Sequence, residues 1–343
     1  MCDDDYEYLG VHQPELKSSW QHCAEITRSA DTKGYDSILL PSGYQLGIDS
    51  VAFAAGMATL TEQIRMLLAV RCGELCVPQM ARQLATLDQM LGGRLTVNII
   101  SSDVPGETLS SPARYQRTRE VMASLRMLLD GKPISARGEF VNLDVEPPNA
   151  RTVSGRSPLF YFGGLSENAR DVAAEAADVY LMWPDKLATV ASLLTDMRVR
   201  AANYSRALRF GYRVHVIVRE KEGEAIDASR RLLSRLDADE GKKIRSQSLD
   251  SQSVGVRAQG QLREEADADG FVEENLWTGI GRARSGCGAA VVGDPDQVLQ
   301  KLLQYEAMGI DAFILSGYPH LDECDLFARY VLPNLDHSRL EGS

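Results

Sequence analysis

Short apolar runs alternate with longer amphipathic segments along most of this chain, and that alternation restricts the fold more than any other feature of the sequence. The runs are rich in β-branched and aromatic residues, which is typical of buried strands, and the segments between them have helical periodicity. Repeated βα units build a parallel sheet that is either doubly wound or closed as a (β/α)8 barrel. The predicted strands are Tyr35–Leu40, Ile64–Val70, Leu95–Ile100, Leu159–Phe162, Val179–Met182, Arg209–Glu220 and Ala312–Leu315.

The choice between these two α/β architectures depends on nucleotide-binding motifs. No G-x-G-x-x-G sequence follows the first predicted strand and no Walker loop occurs, so a dinucleotide-binding Rossmann domain is poorly supported. No shift in composition marks a second domain. We therefore predict that residues 1–343 form one (β/α)8 barrel, with its functional site where the strands run into the βα loops.

One long excursion interrupts the alternation. Residues 237–270 are charged, rich in Ser, Gln and Ala, and contain no clear strand. Such excursions are either mobile lids or solvated helical insertions, and both interpretations stay open. Residues 275–288 carry Arg282, Arg284 and several glycines, a composition that suits either anion capture by a closing loop or a solvated basic turn. We predict that residues 237–288 form a mobile insertion over the site.

The overall charge and the cysteines exclude several classes of protein. The net charge of −11 argues against a nucleic-acid binder and against attachment to an acidic membrane surface. No apolar run is long enough to cross a bilayer, and the acidic first residues are not a signal peptide. Six Cys are too scattered for a disulfide scaffold, and Cys72 and Cys76 lack the partners of a metal site. We therefore expect a reducing, cytoplasmic location and no bound metal.

The predicted strand Arg209–Glu220 carries two unusual side chains. Because successive side chains of a strand point to opposite faces, Arg213, His215 and Ile217 share one face. The other face carries Tyr212, Val214, Val216 and Val218. A cation and an imidazole that face inward are costly unless something there requires them. They indicate either a functional site or a satisfied buried pair.

Further polar groups and glycines lie at the ends of other predicted strands. They are Asn98, Ser101, Gly163, Gly164, Leu165, Ser166, Trp183 and Tyr318. In a barrel these positions converge on one mouth. Glycines permit close approach to the backbone, and the following helix offers free N–H groups to a phosphate, although capping that helix is the default role of Ser166. Since the sequence shows no nucleophile elbow and no zinc-spaced cluster, we expect a cofactor to supply the reactive chemistry.

Five stretches of the chain are similar to one family of enzymes. They are Ala81–Asp88 (ARQLATLD), Phe160–Ser166 (FYFGGLS), Arg209–Glu220 (RFGYRVHVIVRE), Asn275–Gly281 (NLWTGIG) and Ile310–Leu321 (IDAFILSGYPHL). They resemble the reduced-flavin-dependent alkanesulfonate monooxygenases of the bacterial luciferase-like superfamily, and the resemblance extends from about Gly34 to Leu335. It implies a (β/α)8 barrel that uses reduced FMN and O2 to oxidise the carbon beside sulfur, releasing sulfite and an aldehyde. It also implies a separate NAD(P)H-dependent flavin reductase and a homo-oligomer, either a dimer or a tetramer.

The resemblance implies roles for individual residues. His215 matches the active-site histidine and Arg213 the arginine two positions before it. Tyr318 matches the tyrosine of the SGYPH motif, Arg284 the arginine of the closing loop, and Trp183 the tryptophan after the sixth strand. By similarity Asn98, Tyr115 and Ser166 would help to hold FMN, with Ser166 near the phosphate, and we predict that Ser101, Gly163, Gly164 and Leu165 complete the cofactor site. A sulfonate is a fixed anion that two arginines can neutralise, and an imidazole can orient or relay a proton.

Two departures from the family bear on fold and substrate. The family has a strand before the position at which this sequence begins, so we expect the first strand of the barrel to be missing. Because a barrel without that strand has two exposed edges, which is unfavourable, we expect either that the true start lies upstream or that another segment fills the gap. The sulfonate enzymes also carry a cysteine in the loop after Pro41-Ser42-Gly43. Here the loop reads Tyr44-Gln45-Leu46-Gly47-Ile48-Asp49, without Cys. A short sulfonate, a sulfone and a larger metabolite therefore stay open as substrates.

Three functional hypotheses follow. The first is a two-component monooxygenase that takes reduced FMN, O2 and a small organosulfonate-like substrate. The second is a flavin-binding homologue without turnover. The third is a deazaflavin-dependent hydride-transfer enzyme of the same superfamily, which only the wider fold supports.

Overall fold

The computed structural model describes residues 5–44, 47–246, 253–284 and 286–341. Its strands are β1 (Ser37–Leu40), β2 (Arg65–Arg71), β3 (Leu95–Ile100), β4 (Ile134–Arg137), β5 (Asn142–Val145), β6 (Phe160–Gly163), β7 (Val179–Met182), β8 (Arg209–Val218), β9 (Phe271–Glu273), β10 (Leu276–Trp277), β11 (Ala290–Gly293) and β12 (Ala312–Ser316). Its α-helices are α1 (Trp20–Thr32), α2 (Ser50–Met57), α3 (Val77–Met90), α4 (Ser111–Leu129), α5 (Glu167–Ala176), α6 (Leu187–Asn203), α7 (Glu222–Leu233), α8 (Ala238–Ser246), α9 (Val254–Glu264), α10 (Pro295–Ala307) and α11 (His320–Tyr330).

The main sheet is parallel, as the βα alternation predicts. Its strand order is β1-β2-β3-β6-β7-β8, with β12 beside β8. On β8, His215 is level with Ser316 of β12 and with Ala290 of β11, so β11 and β12 lie on opposite edges of that strand. The antiparallel strands β9 and β10 extend the sheet beyond β11. Residues Ile134–Pro148 carry the turn and alternation signals that predict a small hairpin, and β4 and β5 form it apart from the main sheet.

The barrel is open on one side. Among the described residues β1 pairs only with β2, and β12 pairs only with β8, so no hydrogen-bonded ladder joins β1 to β12. This opening lies where the sequence analysis expects a strand to be missing.

The C-terminal segment covers the amino-terminal ends of several strands. The side chain of Leu340 packs into a small cluster inside the barrel that includes Leu67 and Tyr161. Arg65, the first residue of β2, donates to the backbone oxygen of Leu340 and pairs with Glu341 at 2.9 Å. These contacts attach the end of the described chain to the face of the barrel opposite the βα loops.

The main hydrophobic core fills the layer between the strands and the surrounding helices. Helix α5 contributes Ala169, Val172 and Ala173, all fully buried, and their small size lets the helix lie close to the sheet. Burying one Val- or Leu-sized side chain stabilises the fold by roughly 1.5–3 kcal/mol. The even-numbered residues of β8 belong to this core, which confirms the predicted alternation of its faces.

Several element boundaries differ from the predictions for local reasons. The sequence predicts a helix over about Leu16–Lys33. Helix α1 begins at Trp20 rather than Leu16, because the Ser19 hydroxyl accepts from the His22 amide at 3.1 Å and caps the helix there. The excursion after residue 236 contains helices α8 and α9, and residues 290–293 form a strand that the sequence analysis leaves unassigned. In the described part of the chain no helix combines the length and the apolar character that crossing a bilayer requires.

Candidate active site

A cavity of about 1080 Å³ lies at the carboxyl ends of the strands and continues through the barrel interior past the opening between β1 and β12. Eleven of the twelve predicted site residues line it. They are Asn98, Ser101, Tyr115, Gly163, Gly164, Leu165, Ser166, Trp183, Arg213, Arg284 and Tyr318. The exception is His215. Polar and charged groups from six strands or their following loops therefore share one space, as the barrel hypothesis predicts.

His215 lies one layer behind the cavity wall. Its side chain is fully buried, and its Nδ1 atom is 3.0 Å from the hydroxyl of Ser316 on the neighbouring strand. Its ring stacks on that of Tyr318, with the two centroids 5.2 Å apart. The imidazole is therefore in position to influence the cavity through Tyr318 rather than by lining it.

Tyr318 connects the barrel wall to the loop after β10. Its ring is only 5% exposed, and Arg284 Nη1 donates a hydrogen bond to its hydroxyl. Tyr6 meets the ring edge-on at 5.7 Å, and His320 stacks on it at 5.2 Å. The phenol is thus held by rings on several sides and points its polar end at a cation of the predicted insertion.

The turn after β6 forms a cradle of backbone groups. A Cβ atom at Gly163 would lie 2.1 Å from the Leu181 carbonyl oxygen, so only glycine fits there. Gly164 has a φ of +148°, which other residues rarely adopt, and its carbonyl accepts from the Tyr180 hydroxyl at 2.8 Å. The Ser166 hydroxyl accepts from the Ala169 amide at 3.2 Å and caps α5. The default capping role of Ser166 is confirmed, and the amino terminus of α5 lies at the cavity wall, where an anion is favoured.

Trp183 lies beneath the insertion. An added Cβ at Gly255 of α9 would lie 2.9 Å from the Trp183 ring, and one at Gly286 would lie 3.2 Å from it. Ile244 of α8 and Val254 of α9 also line the cavity. The predicted insertion therefore covers this mouth, although its residues 247–252 and 285 lie outside the described part of the chain, as do Gln45 and Leu46 of the loop after Gly43.

Two cations on the cavity wall escape the sequence analysis. Arg71 is 4% exposed and lies 3.1 Å from Glu74, while its guanidinium donates to the backbone oxygens of Ser42 and Asp103. Arg114, beside Tyr115, pairs with Asp103 at 3.6 Å. Arg71 is the last residue of β2, and this position at the carboxyl end of a strand could have indicated that it lines the cavity. Arg114 lies in the first turn of α4 and carries no such signal.

Cys287 is a further residue that the sequence analysis does not single out. Its thiol donates to the Arg213 backbone oxygen at 3.4 Å. Burial raises the pKa of the Cys287 thiol, so it stays protonated near neutral pH and supports the backbone beside the arginine.

Cys72 is also buried, and burial raises its pKa to about 12. Among the described residues no group of three His, Cys, Asp or Glu has the arrangement of a metal site.

Fold and site together define an α/β-barrel protein with a large cavity at the carboxyl ends of its strands, lined by several arginines and by the glycine turn that precedes α5. The sequence profile of the luciferase-like monooxygenase family matches residues 8–312. This chain belongs to that family, and the predicted membership of the luciferase-like superfamily is confirmed.

Two similar sequences have the same name. A sulfoquinovose monooxygenase of Novosphingobium aromaticivorans is 60% identical over 347 aligned positions, which cover 99% of this chain and 96% of the relative. A sulfoquinovose monooxygenase of Agrobacterium fabrum is 48% identical over 338 positions, covering 98% of this chain and 88% of that relative.

Solved structures support the fold. A riboflavin lyase crystallised with a modified FMN and riboflavin superposes with a TM-score of 0.78 at 14% sequence identity. The superposition covers 96% of this chain and 88% of that one. At this level of identity the likeness concerns the architecture alone, and it agrees with the predicted barrel.

Proposed function

We propose that this protein is a two-component monooxygenase that uses reduced FMN and O2 to oxidise the carbon attached to sulfur in a polar organosulfonate, with sulfoquinovose as the substrate. The observation that carries the proposal is the single cavity that contains both an anion cradle at Gly163–Ser166 and a second cationic wall at Arg213 and Arg284. A reaction between a phosphate-bearing cofactor and a sulfonate needs two such anion sites in one enclosed space. The names of the two relatives supply the substrate.

The residues at the cradle fit a flavin phosphate. The turn has no Cβ at Gly163 or Gly164, the amino terminus of α5 follows it, and Tyr115 lies beside it. Arg114 adds a positive charge to the same wall. Asn98 is 7% exposed on the neighbouring strand and can hydrogen-bond a flavin ring. When bound, reduced FMN supplies the electrons that activate O2.

A second group of cavity residues suits the sulfonate. Arg213 and Arg284 both line the cavity, and each guanidinium can donate several hydrogen bonds to sulfonate oxygens. The Tyr318 hydroxyl, which already accepts from Arg284, places a phenol beside the same anion. Insertion of one oxygen atom at the carbon bonded to sulfur gives an α-hydroxysulfonate, which loses sulfite and leaves an aldehyde.

The buried imidazole of His215 can handle a proton, and the insertion can exclude water from the cavity. His215 is oriented by Ser316 and stacks on Tyr318, so it can stabilise charge at the phenol or exchange its proton. Trp183 beneath α9 makes part of the cover apolar. A closed cover excludes water from the activated oxygen, and this exclusion favours transfer to substrate over release of hydrogen peroxide.

The test is turnover with defined substrates. The purified protein is supplied with FMN, a flavin reductase, NADH and air, and sulfite is trapped with a chromogenic thiol reagent. We expect sulfite from sulfoquinovose with a kcat/KM about tenfold or more above that for hexanesulfonate, since a preference of this size needs only one or two added hydrogen bonds. Sulfite from alkanesulfonates alone would contradict the substrate, and flavin binding without sulfite from any sulfonate or sulfone would identify a homologue without turnover.

The separate flavin reductase and the homo-oligomer are part of the same proposal. Replacing the reductase by photoreduced FMN should preserve sulfite release, because only the reduced flavin has to reach the site. Size-exclusion chromatography with light scattering distinguishes the expected dimer or tetramer from a monomer.

A further inference from the structure

A buried carboxylate near the site belongs to none of the groups considered so far. The Asp5 side chain is fully inaccessible. Its Oδ1 atom accepts hydrogen bonds from the amides of Tyr6 at 3.0 Å and His320 at 2.9 Å, and its Oδ2 atom lies 2.8 Å from His22 Nε2. A buried carboxylate requires such partners to offset its lost hydration. Asp5 therefore joins three parts of the chain: the amino-terminal segment, helix α1 and the start of helix α11.

The contact with α11 replaces a missing cap. His320 is the first residue of that helix, and the preceding Pro319 has no side chain that could accept from its free amides. Asp5 supplies the acceptor from a distant part of the chain, and its charge suits a helix amino terminus. The His320 Nδ1 atom also lies 2.6 Å from the Gly317 carbonyl oxygen, so both ends of the Gly317–His320 turn are fixed.

That turn presents Tyr318 to the cavity. The tyrosine ring lies between His215 and His320, both stacked on it, while Tyr6 contacts its edge. Asp5 thus holds His320, two residues after Tyr318, through the His320 amide, and it holds the neighbouring Tyr6 through the Tyr6 amide. Displacement of Asp5 would release two of the contacts that fix the ring.

We propose that Asp5 is a positioning residue that fixes the Tyr318 ring so that its hydroxyl meets Arg284 of the insertion. The kinetic part of this inference rests on the proposed function, but the structural part does not. It assigns a role to a residue that touches neither the substrate cavity nor the predicted flavin cradle.

The chain offers a matched control. Asp31 accepts from the amides of Glu62, Gln63 and Ile64 at 2.7–2.9 Å, so it also satisfies several backbone donors with one carboxylate. Those amides precede β2, at the end of the barrel away from the βα loops. Loss of a structural carboxylate can therefore be separated from loss of Tyr318 positioning.

The experiment compares Asp5→Ala, Asp5→Asn and Asp31→Ala, each alone and combined with Tyr318→Phe. Asp5→Ala should lower kcat for sulfite release about tenfold while the Kd for FMN stays within about twofold, since small misplacements at a reacting site are costly. Asp5→Asn keeps the Oδ1 acceptor for both amides and should recover most of the kcat. In the Tyr318→Phe background Asp5→Ala should have less than about threefold further effect, because both changes remove the same interaction. Asp31→Ala should lower Tm without changing kcat.

A second readout needs no turnover. Hydrogen exchange of the His320 amide should accelerate about tenfold in Asp5→Ala and stay slow in Asp5→Asn and Asp31→Ala, in protein without flavin. If no variant releases sulfite but this exchange pattern holds, the proposed function fails and the positioning role stands. If the Asp5→Ala and Tyr318→Phe effects on kcat multiply independently, or if the His320 amide is unaffected, the positioning role is overturned.

Discussion

Tyr318 lies between the buried imidazole of His215 and the guanidinium of Arg284, and each of the three side chains has a different position relative to the cavity. His215 contacts the ring, Arg284 contacts the hydroxyl, and only the arginine and the tyrosine line the cavity. The sequence could place His215 on the inward face of its strand. It could not give the depth of the side chain, because depth depends on the Gly317–His320 turn that folds over it.

The residue with the clearest expected effect on catalysis is Arg284. Replacing it by Ala should reduce sulfite release at least about 100-fold, because the sulfonate loses a charge-assisted hydrogen bond in an enclosed site. The Kd for FMN should change by no more than a few-fold, since Arg284 bonds the Tyr318 hydroxyl and is not part of the predicted flavin cradle at Gly163–Ser166. Arg282→Ala is the matched control, because that side chain is exposed two residues away. Equal turnover in the two variants would remove Arg284 from the site.

His215 should be sensitive in a different way. His215→Ala removes the bond to Ser316 and the stack on Tyr318, so we expect a slower kcat together with a loss of about 2–4 kcal/mol in the free energy of unfolding. Sulfite assays and urea denaturation measure the two effects. A loss of stability with unchanged kcat would assign His215 a purely structural role.

At the scale of elements, the strands of the sheet were the most predictable part. Val179–Met182 matches β7 at both ends, because a short, bounded run of buried side chains leaves little choice. The sequence does not decide whether α8 and α9 form a cover or a solvated insertion, because their polar surfaces look the same in both arrangements. Arg71 and Arg114 were missed for a related reason, because a guanidinium on a cavity wall has the same local sequence as one in a surface ion pair.

Substitutions at two glycines of helix α9 distinguish the effect of the cover on the reaction from the effect of helix stability. Gly255→Ala places a Cβ against the Trp183 ring, whereas Gly260→Ala meets nothing closer than an arginine tip at 4.0 Å. Gly260→Ala should add about 0.5–1 kcal/mol to stability and leave turnover unchanged. Gly255→Ala should move α9 off Trp183 and raise the hydrogen peroxide formed per sulfite. Peroxide and sulfite assays on both variants decide the matter, and an unchanged ratio for Gly255→Ala would contradict the role of the cover.

At the scale of the whole molecule, the barrel has two differently built ends. The carboxyl ends of the strands carry the cavity and its cover, whereas the C-terminal segment closes the amino-terminal ends through Leu340 and Glu341. The repeated βα units predict the architecture and also the functional end, because the sites of such barrels lie where the strands run into the βα loops. The closing segment was not predictable, because one leucine among polar residues carries no periodic signal.

One substitution that shortens a side chain tests whether the C-terminal segment stabilises the barrel. Leu340→Ala should lower the free energy of unfolding by about 1–2 kcal/mol, because part of a leucine side chain is lost from the cluster with Leu67 and Tyr161. Ser338→Ala, at an exposed neighbour, is the control. Urea denaturation of both proteins measures the difference. Identical midpoints would show that the segment only lies on the surface.

Strand β7 and the residue after it contact both the glycine turn after β6 and the helices that cover the cavity. Its Tyr180 holds the Gly164 carbonyl in place, and Trp183 immediately after the strand supports the cover. Four consecutive residues of one strand and its end therefore link the predicted flavin cradle to the proposed substrate side of the cavity. A smaller residue at Trp183, introduced to widen the cavity, would also shift the strand that carries Tyr180. We therefore expect substrate range and flavin affinity to change together in such redesigned enzymes.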